Sequence, residues 1–412
     1  MSAGRRQERV KRLTVLFGLA ALAALAAPAP ANAAGFAVDT QAARATGLAT
    51  AVAAHIDDPS AAFYNPAGLI QDPTINLMAG DTLILPSLHF TPSREGTKLK
   101  PNFLVSPPPH VYAAVKITDD VAAGFGFFTA YGSTADWPET WPYRFRSLRS
   151  QLSTFYLNPE VACSPHKRVR IGAGFQAVRG SVSIERKLNF VDTEGTVELS
   201  GGTWGLGWNA GIQMDVLPKW LSAGLAYRSG VALDFEGQAH FKDIPKELSL
   251  TLKDQAISAP FKTPDTIFLG VSSRPLQDLL IAADVHWYNW SRVEAVAVTF
   301  EDPALNQNVP KRWEDTFNYH IGAEYQATDA LSVRAGFVYD PTPSPADTLT
   351  PDLPDSTRVK GAVGLGYSFR AFQFDVGYQL VVVVPGESTA PGYEGSYGGS
   401  AHVLGLSVGY HR

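Results

Sequence analysis

A two-residue alternation of apolar and polar side chains recurs along most of this chain. In FQFDVGYQL, residues 372–380, Phe, Phe, Val, Tyr and Leu alternate with Gln, Asp, Gly and Gln. The segments SVRAGFVYD, residues 332–340, and FNYHIGAEYQ, residues 317–326, have the same pattern. Successive side chains of a β-strand point to opposite faces of the sheet, so each segment predicts a strand with one apolar and one polar or small face.

The order of strands and connections favours a closed barrel in a membrane. About fourteen such strands are predicted between residues 76 and 411. Short links near 118–120, 164–168, 217–219, 274–278, 327–329 and 369–371 alternate with long ones. Tight turns at one end, long loops at the other and an even strand number are typical of outer-membrane barrels. An open sheet edge is not tolerated in lipid, so the sequence predicts an all-β fold, a transmembrane antiparallel β-barrel of about 14 strands.

The N-terminus predicts export. A basic stretch, MSAGRRQERVKR, precedes the apolar run LTVLFGLAALAALAA, and Ala31-Asn32-Ala33 follows as an A-x-A cleavage site. We expect a signal peptide over residues 1–33 and a mature protein in the outer membrane of a Gram-negative cell.

A proline-bearing segment, DDPSAAFYNPAGL, follows the predicted cleavage site at residues 57–69. Pro59 and Pro66 have no N–H group to donate to a strand ladder. This segment therefore predicts non-strand structure ahead of the barrel.

The composition excludes several kinds of function. The formal net charge of -5 gives no support for a nucleic-acid partner, and the single cysteine allows neither an internal disulfide nor a cysteine zinc site. The sequence contains no HExxH motif, and its one GxSxG match, GLSVG at 405–409, lies inside the last predicted strand rather than at the strand-to-helix turn of a nucleophile elbow. We therefore predict no catalytic residues, no metal site and no cofactor, with an outer-membrane lipolytic enzyme kept as a rival hypothesis.

Five segments together resemble the outer-membrane long-chain fatty acid transporter family (FadL type), which includes aromatic-hydrocarbon uptake channels. The first is AGFAVDTQAARATGLATAVAAHIDDPSAAFYNPAGL, which holds the family's Asn-Pro-Ala at Asn65, Pro66 and Ala67. The others lie at 131–145, 207–229, 264–293 and 313–358. The resemblance implies a hatch, or plug, over residues 34–75 that fills the lumen of a barrel over residues 76–412. It also implies that Asn-Pro-Ala lies against a kink in the third strand, at Gly124 and Gly126.

The same resemblance implies passive uptake of hydrophobic molecules, captured at external loops and released laterally through the barrel wall. Long-chain fatty acids are the expected cargo, and aromatic hydrocarbons are the alternative. A general diffusion porin is a further rival. The expected partners are the hydrophobic small molecule, outer-membrane lipid and lipopolysaccharide, and the barrel assembly machinery, with the protein a monomer.

Candidate binding residues follow from the strand alternation, which turns Arg228, Arg334 and Lys360 toward the lumen. Each could bind a fatty acid carboxylate, or could pair with acidic wall residues such as Glu324 or Asp375. The fourth external loop is the predicted capture surface, through Phe241, Ile244, Leu248, Leu250 and Leu252. Interface girdles are predicted from Trp220, Trp287, Tyr288 and Trp290.

Overall fold

The computed structural model describes residues 35–70 and 74–412 of the chain. The predicted signal peptide lies outside the described residues. Within them the chain forms nineteen strands. These are β1 (Ile75–Pro92), β2 (Pro109–Thr118), β3 (Val121–Phe128), β4 (Gly132–Asp136), β5 (Arg149–His166), β6 (Val169–Asn189), β7 (Glu194–Leu217), β8 (Leu221–Arg228), β9 (Ala232–Lys242), β10 (Gln255–Lys262), β11 (Thr266–Leu276), β12 (Leu279–Tyr288), β13 (Ala295–Phe300), β14 (Gln307–Pro310), β15 (Thr316–Gln326), β16 (Leu331–Asp340), β17 (Arg358–Phe369), β18 (Phe372–Ser388) and β19 (Gly395–His411).

The nineteen strands make a closed barrel of 14 antiparallel wall strands. Five wall strands are interrupted and consist of two consecutive segments each: β3 with β4, β8 with β9, β10 with β11, β12 with β13, and β14 with β15. The barrel closes where β1 pairs with β19, from Asn76 opposite His411 to Pro92 opposite Gly395. The predicted fold class is confirmed.

The outer face of the wall is apolar, as the alternation predicts. Phe317 of β15 and Phe337 of β16 are about half exposed on the outer face. Arg334, which alternates with the outward residues of β16, is buried toward the lumen. Similar outward residues recur around the barrel: Val161, Leu206, Trp208, Leu269, Val363, Leu365, Phe374 and Val408. Because such side chains gain by leaving water, this surface suits a lipid environment.

Residues 35–70 lie inside the barrel and contain little regular structure. Two short helices, α1 (Ala43–Gly47) and α2 (Ala61–Tyr64), precede a 3₁₀ turn at Pro66–Leu69. Further 3₁₀ turns occur at Lys246–Leu248, Trp290–Arg292 and Pro303–Leu305. In residues 35–70 and 74–412, none of the helices is long and apolar enough to cross a membrane.

The predicted aromatic girdle is partly wrong. Trp220 is exposed beside a short turn, but Tyr288 and Trp290 are buried inside the barrel. β12 ends at Tyr288, and the Trp290–Arg292 turn folds Trp290 inward against Phe36, with ring centroids 4.7 Å apart. Tyr288 faces the lumen because it is in phase with Asp284 and His286 along β12, whereas Trp290 is turned inward where the strand is interrupted.

Candidate functional site

Residues 35–70, hereafter the hatch, fill the short-turn half of the lumen. Wall glycines let its backbone approach closely. A Cβ on Gly224 would lie 2.1 Å from the carbonyl oxygen of Ala53, and one on Gly377 would lie 2.3 Å from that of Ala43. Asp284 of β12 accepts 2.8 Å hydrogen bonds from the amides of Val52 and Ala53. Because the hatch is held to the wall on several sides, the lumen is not an open bore.

Arg334 lies in an ion-pair network between hatch and wall. Its guanidinium donates to Glu324 at 2.6 Å and to Asp375 at 2.6 Å. Glu324 also pairs at 3.1 Å with Arg44 of the hatch, which contacts Asp57 as well. A buried charge is stable only when paired and hydrogen-bonded, and these carboxylates meet that need. The structure therefore corrects the prediction that Arg334 is available to a ligand carboxylate.

Lys360 and Arg228 are likewise occupied. Lys360 pairs with Asp340 at 2.9 Å and with Asp39 of the hatch at 3.3 Å. Arg228 donates to the carbonyl oxygen of Phe63 at 2.8 Å and to the side-chain oxygen of Asn158 at 3.1 Å. All three predicted carboxylate ligands face the lumen, but the structure uses them to fasten the hatch and the wall.

The Asn-Pro-Ala motif also lies elsewhere than expected. The Asn65 side chain donates at 2.8 Å to the carbonyl oxygen of Ala53 and at 3.1 Å to that of Ile212. Pro66, with Ala67 beside it, faces Gly172, where a Cβ would lie 2.4 Å from the Pro66 carbonyl carbon. The hydrogen bonds and closest backbone approach of the motif are therefore to β7 and β6, while Leu69 of the same turn reaches Gly124 of the third wall strand.

The break in the third wall strand lies at residues 129–131, between β3 and β4. Gly124 and Gly126, where a kink was predicted, sit within the regular ladder that β3 makes with β5. These two glycines instead leave room for the hatch to pack against β3. A Cβ on Gly124 would lie 2.7 Å from Leu69, and one on Gly126 would lie 3.2 Å from Ala62. The predicted kink position is corrected to Thr129–Tyr131, where Tyr131 bridges to Ala37 of the hatch.

An apolar cavity of about 380 Å³, here called the outer cavity, lies above the hatch. Its wall comes from the long-loop ends of β6, β7, β10 and β13. These contribute Val182, Ile184, Val197, Leu199, Ile257, Ala259, Phe261, Val296 and Val298. β6 and β7 have 21 and 24 residues, well beyond the roughly 9–11 that cross a bilayer, so this cavity is built where strands extend past the membrane.

Two arginines, Arg146 and Arg186, line the outer cavity. Their positive charges are close enough to repel each other. Among the described residues neither guanidinium forms an ion pair, and Arg146 lies over the ring of Tyr393 at 5.6 Å. Asp352, which lines the same cavity, pairs with Lys311 at 2.8 Å instead. An apolar cavity with two uncompensated cations suits a ligand that is apolar with an anionic head.

A second cavity of about 400 Å³, the wall cavity, lies between the hatch and the break in the third wall strand. It shares Phe36, Gln151 and Leu152 with the outer cavity. The ring of Phe36 stands between the two, among Tyr131, Phe261, Trp290 and Trp313 with centroids 4.7 to 6.0 Å away. Arg358 donates at 2.7 Å to the carbonyl oxygen of Gly35, which holds this ring in place.

The predicted capture loop is not where the outer cavity is formed. Its residues lie on β9 or on the hairpin between β9 and β10, and none of Phe241, Ile244, Leu248, Leu250 and Leu252 lines either cavity. Leu250 at the tip is 88% exposed, and Phe241 packs against the apolar cluster of Val197, Leu199 and Val298 without itself lining the cavity. The returning strand β10 instead supplies Phe261 to the outer cavity.

Sequence reasoning missed Arg146 and Arg186. Arg146 stands in a long loop, where strand alternation gives no direction, and Arg186 stands near the loop end of β6. The available signal was the apolar alternation of residues 182–188, which continues past the length a membrane crossing needs.

Comparison with known proteins finds one family that matches most of the chain. The family model for outer membrane protein transport proteins (OMPP1/FadL/TodX) matches residues 23–411. A long-chain fatty acid transport protein of Escherichia coli is 24% identical over 401 residues, covering 86% of this chain and 89% of the relative.

Solved structures agree on the fold. A FadL homologue of Pseudomonas aeruginosa superposes with a TM-score of 0.81 at 20% identity, covering 92% of this chain and 99% of the other. The toluene transporter TbuX of Ralstonia pickettii gives a TM-score of 0.67 at 19% identity, covering 90% and 98%. At these identities the likeness establishes the fold alone.

Proposed function

The chain belongs to the OMPP1/FadL/TodX family of outer membrane transport proteins, and we propose that its cargo is long-chain fatty acid. Transport of hydrophobic substrates across the outer membrane is the function of this family, which consists of channels rather than enzymes. The choice between a fatty acid and an aromatic hydrocarbon depends on this chain's own cavities.

The observation that carries the proposal is the pair Arg146 and Arg186 in the apolar outer cavity. An aromatic hydrocarbon has no charge and would leave both guanidinium groups without an anion. A carboxylate at the end of an acyl chain would neutralise them through charge-assisted hydrogen bonds, which are stronger than neutral ones. The acyl chain would occupy the apolar lining, gaining about 0.8 kcal/mol for each buried CH₂.

The path beyond the outer cavity leads sideways. The hatch occupies the lumen below, whereas Phe36 separates the outer cavity from the wall cavity beside the third wall strand. We infer that displacement of Phe36 joins the two cavities, and that cargo leaves through the wall toward the bilayer. The route favours an acyl chain because it limits the contact of that chain with water, and flow down a concentration gradient needs no nucleotide or ion source.

The experiment that tests the cargo compares a fatty acid with its uncharged analogue. Purified protein in detergent micelles is titrated with oleate and with oleyl alcohol, for the wild type and for Arg146→Ala and Arg186→Ala. Each arginine contributes a charge-assisted hydrogen bond, so each variant should weaken oleate binding about tenfold or more and leave oleyl alcohol nearly unchanged.

A matched control is Arg144→Ala, since Arg144 pairs with Glu194 outside the outer cavity. It should bind oleate as the wild type does. Binding of toluene but not oleate by the wild type would overturn the fatty acid assignment in favour of the aromatic alternative. Equal weakening of oleate and oleyl alcohol would show that the arginines support the pocket's shape rather than bind a carboxylate.

A further inference from the structure

The barrel wall is incomplete next to the break in the third wall strand. β1 pairs with β2 only from Ile75 to Asp81, because β2 begins at Pro109. Above Asp81, β1 continues for eleven residues that pair with β19 on its other side. β4, the upper part of the third wall strand, pairs with β5 only, among the described residues. A gap without a strand ladder therefore separates the upper part of β1 from β4.

Residues 102–108, hereafter the strap, cross this gap. The upper end is tied to β4: the Asn102 amide donates to the carbonyl oxygen of Asp136 at 2.7 Å, and its side chain donates to the Asp136 carboxylate at 2.8 Å. In the middle, Ser106 and Ile84 of β1 exchange two backbone hydrogen bonds of 3.0 and 3.2 Å. Between these two points the strap makes no backbone hydrogen bond to either neighbouring strand among the described residues.

The sequence of the strap explains why it stays separate from the wall. Pro107 and Pro108 within the strap, and Pro101 and Pro109 at its ends, have no N–H group. They cannot extend a ladder to β1 or β4. In lipid every unpaired N–H group is costly, so the absence of four donors also makes this unladdered crossing tolerable.

The strap is a single layer between the wall cavity and the outside. Leu104, Ser106 and Pro107 line the wall cavity on its inner side. Phe103 is 67% exposed and Val105 is 48% exposed on the outer side of the barrel. Exposed apolar side chains on the outer surface of the barrel suit contact with lipid acyl chains. Elsewhere around the wall cavity the strands are laddered: β5 pairs with β6, β17 pairs with β18, and β18 pairs with β19 apart from one bulge between Val383 and Gly386.

We propose that the strap is the movable gate of the lateral exit, and that it swings away from β1 to admit an acyl chain into the bilayer. This inference rests on the proposed lateral release. Movement requires the loss of two backbone hydrogen bonds at Ser106, and it breaks no ladder of the barrel. The exposed Phe103 and Val105 stay in apolar surroundings as the strap moves, because they contact lipid acyl chains in both positions.

A reversible disulfide tests the gate. Hydrogen-bonded antiparallel partners have Cα atoms about 5.5 Å apart, which is within the range that a disulfide spans. Ile84→Cys and Ser106→Cys are combined in a Cys163→Ser background, and the bond is formed by an oxidant after the barrel has assembled in cells. Radiolabelled oleate uptake is measured before oxidation, after oxidation and after reduction. Oleate binding to the purified protein is measured in parallel.

The expected result is a fall in uptake of tenfold or more on oxidation, full recovery on reduction, and unchanged oleate binding. The control pair Val363→Cys and Tyr378→Cys joins opposed residues of the continuous β17–β18 ladder and should leave uptake unchanged on oxidation. Undiminished uptake with the Ile84–Ser106 bond fully formed would overturn the gate. Failure of the wild type to bind oleate would instead overturn the proposed cargo, so the two failures are distinguishable.

Discussion

Arg228 of β8 donates a 2.8 Å hydrogen bond to the backbone carbonyl oxygen of Phe63, at the end of α2 in the hatch. The guanidinium also lies 5.2 Å from the centroid of the Phe63 ring and 5.0 Å from that of Phe128. A wall residue thus satisfies a carbonyl group at a helix end that the hatch alone leaves unpaired. The hatch is held by polar contacts with the wall as well as by apolar packing.

The first prediction concerns this contact. Arg228→Met keeps the length of the side chain and removes its donors, so the Phe63 carbonyl loses its partner. Hydrogen bonds to charged groups contribute about 1.5–3 kcal/mol, and the hatch should open more often by that free energy. Hydrogen exchange of hatch amides, followed by mass spectrometry, should accelerate about tenfold or more.

Arg170→Met is the comparison for that variant. Arg170 forms a partly exposed ion pair with Asp215 near a short turn, at 3.3 Å, and such pairs contribute little. Its hatch amides should exchange at the wild-type rate. Equal acceleration in both variants would mean that Arg228 does not fasten the hatch in particular.

The second prediction concerns the close contact of the hatch with β7. A Cβ on Gly211 would lie 2.0 Å from Oδ1 of Asn65, so Gly211→Ala should displace the Asn-Pro-Ala turn. Displacement would admit water and ions to the lumen, and single-channel conductance in planar bilayers should rise above that of the wild type. Gly361→Ala on the outward face of β17, where a Cβ meets nothing within 4 Å, should conduct as the wild type does. A closed Gly211→Ala channel would contradict this account of the hatch.

Local sequence patterns predicted the barrel, but they did not predict the contacts between side chains in its interior. The alternation in β15, β16 and β18 fixes which side chains face lipid, so the fold and the lumen position of Arg334 were predicted correctly. Alternation does not tell which lumen charges meet. Arg334 of β16 pairs with Glu324 of β15 and with Asp375 of β18. Glu324 also pairs with Arg44 of the hatch, which lies 280 positions away in the sequence. Contacts of that separation are set by tertiary packing.

Interrupted wall strands limited the prediction in a different way. The alternation over residues 279–300 predicts a single strand, but the chain turns inward after Tyr288 and resumes as β13. The break places Trp290 beside Phe36 and so contributes to the division between the two cavities. The sequence around it, WYNWSRV, contains no glycine or proline that would indicate an interruption.

The third prediction is a pH dependence of hatch stability. Burial, with a further contribution from the charge of Arg44, lowers the pKa of His55 to about 4, although Asp57 and Asp284 oppose this shift. In the unfolded chain the pKa is about 6.5. The folded hatch therefore favours neutral His55, and the stability it contributes is full above about pH 6.5 and is lost as the pH falls toward 4. The His55 contribution should make the intrinsic-rate-corrected exchange of hatch amides faster at pH 5 than at pH 7.

His55→Gln tests that assignment, because glutamine does not titrate in this range. Its hatch amides should differ less between pH 5 and pH 7 than those of the wild type. An identical pH dependence in both proteins would assign the effect to groups other than His55.

The fourth prediction concerns Phe36, whose ring separates the outer cavity from the wall cavity. Phe36→Ala removes the ring and should join the two cavities into one passage. Initial oleate uptake at saturating substrate should rise several-fold, and oleate affinity should fall because Phe36 also lines the outer cavity. Phe90→Ala, at an equally buried ring in a separate cluster formed with Trp137 and Trp141, matches the loss of packing without joining the cavities. Uptake by Phe36→Ala no faster than that of Phe90→Ala, at equal amounts of mature protein in the outer membrane, would rule out Phe36 as the barrier.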